Sequence, residues 1–322
     1  MRISIAMATY NGAIHIQEQL DSFLAQTRQP DELVVCDDGS SDATLDILGR
    51  FCGKAQFSVS IFRNSTNLGF TKNFEKALSN CSGDLILLSD QDDVWFANKV
   101  DVLEKAFLAN PEKLVAIHDG KLVDEELVWH GATILGQVIA GFGSKNFLAT
   151  GALTALRREF LSYTLPIPDG IVGHDVWLHN IAQLVNTRFI IEQPLQSIRR
   201  HGSNTSYWIA SSIQKINKLD VWKSQFRTAV AKGYEDRILI NESSQIYLKN
   251  LKNLKNHEGV FSREALKESL CFLVKERKAL DRRDSLSKAD PLKRRALSLQ
   301  MLFRGEYVFF NGIKSFLRDI AR

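Results

Sequence analysis

An α/β chain built on a mostly parallel, doubly wound sheet and followed by a helical C-terminal extension is the architecture this sequence predicts. Short apolar runs alternate with amphipathic segments through roughly the first 200 residues, the rhythm of strands and crossover helices. Several of the runs are followed at once by polar, acid-rich residues. The charge balance then changes sign: residues 1 to 209 hold 17 Lys and Arg against 24 Asp and Glu, net −7, whereas residues 210 to 322 hold 24 against 13, net +11. Two segments with different surroundings are implied.

Taken in order, Ile3 to Ala8 reads as a buried strand and leads into Thr9-Tyr10-Asn11-Gly12. Ile16, Leu20, Phe23 and Leu24 then recur at helical spacing. Glu32 to Cys36 is the second strand and gives way to Asp37-Asp38-Gly39-Ser40, and Phe57 to Phe62 is the third. Asp84 to Leu88 is the fourth, followed by Asp90-Gln91-Asp92-Asp93, and Leu114 to Ile117 is the fifth. In sheets wound this way ligands lie beyond the carboxyl ends of the strands, so the polar residues after each strand form the candidate site.

Composition narrows the class. With 44% hydrophobic and 24% charged residues the chain folds as a globular protein, and disorder is excluded. Cys36, Cys52, Cys81 and Cys271 show no C-x-x-C spacing, which points away from zinc and from a disulfide framework and toward reduced thiols in a cytoplasm. MRISIAMATYNG lacks the apolar core and cleavage site of a signal peptide, and no run approaches the length of a bilayer span, so a cytoplasmic location is expected. The basic tail contains no nucleic-acid module; no nucleic acid is expected as a partner, and anionic lipid suits its Lys and Arg.

SDQDDVW, Ser89 to Trp95, poses the chemical question. Asp90, Asp92 and Asp93 crowd the mouth of a buried strand, where repulsion costs stability unless a positive charge sits among them. No G-x-G-x-x-G or P-loop pattern follows the first strand, so phosphates must be held another way. A divalent ion bridging carboxylates and phosphate oxygens does this, and hard oxygen ligands favour Mg²⁺ or Mn²⁺.

MATYNG, DDGSSD, NLGF, SDQDDVW, GHDVW and RRHGSN, in that order, resemble the family 2 glycosyltransferases of the GT-A fold, particularly their bacterial rhamnosyltransferase-like branch. The resemblance covers about residues 1 to 208, the expected catalytic domain, and leaves residues 209 to 322 as a basic, mainly helical extension. It implies that Thr9 and Tyr10 lie at the nucleotide, with the Tyr10 ring stacked on the base and Asp38 accepting the N3 proton of uracil or thymine beside Asp37. Ser41 or Asp42 would cap the next helix. Gly69 would allow a tight turn, and Lys72 with Asn73 would open a helix whose N-terminus faces phosphate, a solvated Lys72 being the plainer alternative.

Within SDQDDVW the resemblance gives Asp90 to the ribose or the metal shell and Asp92 to direct metal coordination, while Asp93 is read as an N-cap and Trp95 as core or acceptor wall. Asp175 in GHDVW would be the base that removes the acceptor proton, with helix capping as its alternative, and His174 would shape the acceptor pocket. Arg199 and Arg200 would neutralise the departing diphosphate, and His201 would complete the metal shell and tilt the ion toward Mn²⁺.

The implied activity is a metal-dependent, inverting transfer of one sugar from a nucleotide-sugar donor, L-rhamnose from dTDP-rhamnose being the first choice, to a lipid-linked surface glycan. Transfer from UDP-glucose, UDP-galactose or a UDP-N-acetylhexosamine and non-catalytic nucleotide-sugar binding are the alternatives. A phosphoacceptor domain leaves GHDVW and RRHG without a purpose. In the tail, Leu299, Leu302, Phe303, Tyr307, Phe310, Ile313, Leu317 and Ile320 recur at three- and four-residue steps beside Lys293, Arg294, Arg295, Arg304, Lys314 and Arg318. Packing on the catalytic domain, peripheral contact with the inner membrane and helix-mediated dimerisation are the three readings of that stripe.

Overall fold

Continuous Val, Ile and Leu runs suit strands covered on both faces. The computed structural model describes residues 1–171, 173–202, 209–221, 223, 235–254, 261–310 and 312–321. Its strands are β1 (Ile3–Thr9), β2 (Glu32–Asp37), β3 (Ser58–Arg63), β4 (Leu85–Ser89), β5 (Val94–Trp95), β6 (Val115–Val123), β7 (Trp129–Thr133), β8 (Thr154–Arg157) and β9 (Arg188–Arg199). The sheet order is β3-β2-β1-β4-β8-β6-β9-β5, with β7 paired to β6. β1 runs parallel to β2 and β4, and β2 parallel to β3, so the ends of β1, β2 and β4 open onto one edge. The sheet is mixed beyond β4, because β8 pairs antiparallel to both β4 and β6.

The first four helices are α1 (Ile16–Leu24), α2 (Thr44–Cys52), α3 (Phe70–Asn80) and α4 (Lys99–Ala109). Leu20 and Phe23 of α1, Leu48 and Phe51 of α2, and Leu103 and Phe107 of α4 form one core with Ile3, Ile5, Met7, Leu33, Val35, Leu85 and Leu87 of the sheet. Each such side chain contributes about 1.5–3 kcal/mol by leaving water. α5 (Ile134–Phe142), α6 (Leu161–Thr164) and α7 (His174–Leu184) follow.

The first four expected strands fall within a residue or two of their observed bounds. The fifth runs on to Val123, and β9 has no counterpart in the sequence reading. β9 mixes Arg188, Glu192, Gln193, Gln196 and Arg199 with its apolar residues, so neither a continuous run nor strict alternation marks it. Its place is set by partners: it lies parallel to β6 and antiparallel to β5, with Trp95 opposite Gln196.

Contacts divide the chain into two compact units, Met1–Lys232 and Gly233–Arg322. The first continues past residue 208 because Ala210, Ile216 and Val221 bury themselves against Val138, Leu148 and Ile198. Ser203 and Asn204 of the RRHGSN stretch lie outside the described residues.

The second unit holds the helices Glu235–Leu254, Arg263–Ser287, Pro291–Phe303 and Ile313–Ala321. Asp290 starts the third of these by accepting from the Leu292 and Lys293 amides, with Pro291 at its first position. Leu286, Met301, Tyr307 and Phe316 form a small core. Beneath it Arg283 makes a bidentate pair with Asp319 at 2.8 and 3.2 Å, and the Tyr307 hydroxyl donates to the same carboxylate at 3.3 Å. The stripe seen in the sequence is therefore divided: Tyr307 is buried, whereas Leu299, Phe303, Ile313 and Leu317 are exposed. The side chains of Lys314 and Arg318 lie outside those described. Among the described residues no helix is long and apolar enough to cross a membrane.

Candidate active site

The loops after β1 and β2 are laced together by side chains that accept backbone N–H groups. Asp37, buried at the end of β2, takes the Thr9 hydroxyl at 2.9 Å and the Ser40 amide at 2.8 Å. Asn11 N–H donates to Ser40 Oγ at 2.8 Å, and Asn11 Oδ1 accepts from the Ser41 amide at 2.9 Å. Gly12 N–H reaches Thr44 Oγ1 at 2.8 Å and Ala13 N–H reaches Asp42 Oδ2 at 3.0 Å. The N-cap of α2 is Ala43, so neither Ser41 nor Asp42 caps it; Asp42, one residue earlier, accepts from the Thr44 amide at 3.0 Å.

Asp38 is buried and accepts from Asn64 Nδ2 and the Leu68 amide at 2.8 Å and from the Gly69 amide at 2.9 Å. It thereby ties NLGF to the end of β2. Gly69 sits at φ 79°, in the region open to glycine, and precedes the first residue of α3. The Tyr10 ring is 50% exposed and projects from the loop that the side-chain amide of Gln91 grips: Tyr10 N–H donates to Gln91 Oε1 at 2.8 Å, and Gln91 Nε2 donates to the Tyr10 carbonyl at 3.0 Å. A Cβ on Gly12 would stand 2.3 Å from Gln91 Oε1, so only glycine admits this clamp.

Beyond β4, one carboxylate oxygen from each of Asp90, Asp92 and Asp93 lies within 4.8 Å of the others. Burial, followed by the charges of Asp92 and Asp175, pushes the Asp90 carboxyl up to about 7, and burial with its acidic neighbours raises Asp93 well above the usual range. Asp93 does not cap α4, whose N-cap is Asn98. It accepts instead from Gln196 Nε2 at 2.7 Å and the Arg199 amide at 3.2 Å, because the β5–β9 pairing brings the end of β9 alongside.

That pairing also delivers His201, whose Nε2 lies 2.9 Å from Asp92 Oδ2. The His15 ring packs 4.8 Å from His201, centroid to centroid, and burial with the nearby Arg199 charge lowers its basicity. Arg199 is itself buried. Its guanidinium donates to the Glu18 carboxylate, the Glu125 carbonyl and, at 3.0 Å, the Asp92 carbonyl, which makes it a strut between α1 and the acidic loop. Lys72 is likewise turned to protein groups, the Ile167 carbonyl at 2.7 Å and Glu75 at 2.9 Å.

Asp175 stands in the first turn of α7, after an N-cap at Gly173, so it is not the capping residue. Its Oδ1 accepts from the Val176 amide at 2.8 Å, and its charge is among those that raise the Asp90 carboxyl. His174 is buried, stacked 4.0 Å from Phe74, and Gly151 leaves the space that its ring occupies. Trp95 is buried edge-on to Phe23 and belongs to the core.

The structure thus gathers Asp90, Asp92, Asp93 and His201, sets Tyr10 and Asp38 just beyond the ends of β1 and β2 with Thr9 as the last residue of β1, and puts Asp175 in the first turn of α7. Gln91, His15, Lys99 and Gln196 are members the sequence reading missed. Gln91 stood inside a motif already singled out, whereas the other three carry no local signal. The three carboxylates, with an imidazole beside them, fit a divalent cation: hard oxygen donors in excess of any nearby cation, gathered within one ion's reach.

The raised Asp90 carboxyl has a consequence for stability. Between 3.8 and about 7 the folded chain holds a proton there that the unfolded chain has lost, so stability falls as pH rises through that window. Without divalent ions, the unfolding midpoint of the wild type is expected to drop between about pH 5 and pH 7 relative to Asp90→Asn, and Mn²⁺ is expected to restore it at the upper end. Thermal shift curves across pH check this; parallel curves for the two proteins would remove Asp90 from a buried, charge-crowded position.

Residues 4–161 match the family model described as Glycosyl transferase family 2. The dTDP-rhamnosyl transferase RfbG of Shigella flexneri is 26% identical over 263 residues, covering 76% of this chain and 90% of that protein. Uncharacterized proteins of Mycobacterium tuberculosis and Mycobacterium bovis are 27% identical over 214 residues, and the match takes in 62% of this chain but only 59% of theirs. Among solved structures, Staphylococcus aureus TarS 1-349 in complex with UDP-GlcNAc aligns over 100% of this chain and 91% of that one, with a TM-score of 0.52 at 17% identity, a likeness of fold. The architecture resembles that of the GT-A glycosyltransferases, and residues 4–161 match the Glycosyl transferase family 2 model.

Proposed function

We propose that the chain is an inverting, metal-dependent glycosyltransferase that moves one sugar, L-rhamnose from dTDP-rhamnose in the first instance, onto a lipid-linked surface glycan. The observation that carries the reading is the grouping of Asp90, Asp92 and Asp93 at the carboxyl end of β4, with His201 against Asp92. Asp92 and His201, with Asp90 and Asp93 behind them, would hold Mg²⁺ or Mn²⁺. The ion supplies positive charge to a diphosphate leaving group. The Tyr10 ring is free to stack on a base, and Asp38 keeps acceptor capacity for an N3 proton beside the amides it already holds.

In the transfer, the acceptor hydroxyl oxygen attacks the anomeric carbon from the face opposite the diphosphate. The new C–O bond forms as the bond to the phosphate oxygen breaks, the nucleoside diphosphate leaves with that electron pair, and the hydroxyl proton passes to Asp175. The similarity to RfbG, extending over 90% of that protein, supports rhamnose as the donor sugar. A panel of nucleotide sugars, with released nucleotide as the readout, separates dTDP-rhamnose from UDP-linked hexoses and from binding without turnover. The buried setting of Arg199 and the protein-bound, half-exposed setting of Lys72 give them positioning work in this scheme, at the acidic loop and at the 167–169 segment.

The same reading places the protein in the cytoplasm, peripheral on the inner membrane, with the second unit as the contact. Leu292, Leu299 and Phe303 fall at i, i+7 and i+11, one face of a helix, and Phe303 is 87% exposed. Exposed Lys293, Arg295 and Arg304 lie on the same helix or directly after it, which matches an anionic leaflet.

Asp92→Asn is expected to keep the fold and lose most of the turnover, and EDTA is expected to do the same to the wild type, as read by nucleotide release. Full turnover by metal-free protein would refute the metal role. Asp175→Asn is expected to lower kcat by about 100-fold or more with donor affinity held, since a base acts on the acceptor proton alone. Near-normal kcat in the folded variant would move the base elsewhere. Wild-type protein is expected to sediment with phosphatidylglycerol vesicles at low salt, each engaged Lys or Arg adding about 1 kcal/mol, and Phe303→Glu to weaken this severalfold. Protein that stays in the supernatant, or that forms Phe303-dependent dimers without vesicle binding, would overturn the membrane contact.

A further inference from the structure

Lys99, the first residue of α4, is fully buried. A buried ammonium costs several kcal/mol unless its neighbours compensate, so its position calls for a reason. Its Nζ sits 3.7 Å over the Trp95 ring and donates to the Ala152 carbonyl at 3.3 Å and to Gln196 Oε1. Gln196 is also buried, and its other end, Nε2, donates to Asp93 Oδ2 at 2.7 Å.

An amide has two unlike ends. With Lys99 Nζ donating to its oxygen, the NH₂ group faces Asp93; the flipped amide would give up both of these hydrogen bonds. Asp93 in turn accepts from the Arg199 amide, so it fixes the acidic loop to the end of β9, the strand that leads to His201.

We infer that Lys99 is a positioning residue for the acidic cluster: through Gln196 it orients Asp93, and through Asp93 it sets the register of the Asp90–Asp92 loop against His201. The inference rests on the cluster being a divalent-cation site, and it separates from simple electrostatics by sign. If Lys99 acted only as a nearby positive charge, its removal would tighten cation binding. If it positions the loop, removal weakens binding.

The test titrates the full chain with Mn²⁺ alone, following free Mn²⁺ by electron paramagnetic resonance, alongside thermal unfolding. Lys99→Met fills the same channel over Trp95 without the charge, so its unfolding midpoint is expected to stay within roughly 5 °C of the wild type or to rise. Its Mn²⁺ dissociation constant is expected to increase at least about tenfold. Gln196→Leu, which deletes the middle of the relay, is expected to show the same loss, and Lys105→Met, on the exposed side of α4, to show none. Unchanged or tighter Mn²⁺ binding by folded Lys99→Met overturns the inference and leaves the metal site standing. If Lys99→Met does not fold, unchanged binding by Gln196→Leu overturns it equally. A wild type that takes up no Mn²⁺ overturns the metal reading and this one together.

Discussion

Three carboxylates in a buried corner are the constraint around which this site is built. Asp90, Asp92 and Asp93 stand close enough to share one ion, and two of them are driven toward protonation by burial and by one another. Negative charge packed this way is unstable unless donors and cations are fixed nearby, and the fold supplies them from distant parts of the chain. Gln196 and the Arg199 amide come from β9, the ammonium of Lys99 from α4, and the imidazole of His201 from just past the sheet. The two-residue strand β5 is short, yet its pairing with β9 is what brings these groups to the acids.

Aspartate serves different ends within a few ångströms here, and the number and kind of its partners tell the uses apart. Asp37 spends its oxygens on Thr9 and Ser40, and Asp38 on Asn64 and two amides of the following loop; both organise backbone. Asp92 faces an imidazole, and Asp175 accepts from the Val176 amide of its own helix. A carboxylate saturated by amides is a poor base. One with open acceptor positions beside like charges is available for a cation or a proton. The Gln91 clamp on Tyr10 joins the loops, since its residue belongs to the acidic segment while its hydrogen bonds belong to the strand β1 turn.

In the second unit the division of one apolar stripe into two faces follows from how few helices share the burden. A core of Leu286, Met301, Tyr307 and Phe316 uses one side of each helix, backed by the Arg283–Asp319 pair. The opposite side of the helix Pro291–Phe303 keeps Leu292, Leu299 and Phe303 in solvent.

The sequence by itself determined the parallel half of the sheet, because β1, β2 and β4 are largely apolar runs buried on both faces, which suits parallel strands covered by helices. It determined the order of motifs along the strand ends and the family whose model residues 4–161 match. It did not show β9, half of whose residues are polar, or that Asp93 is held by that strand and not by a helix start. Nor did it show that Arg199 is a buried strut, or that Lys99 and His15 belong to the site. Those facts depend on contacts between residues about 100 to 190 positions apart, and pairing at such separations leaves no periodic trace in the local sequence. Only the closed sheet, by setting β5 against β9, decided which charges face one another.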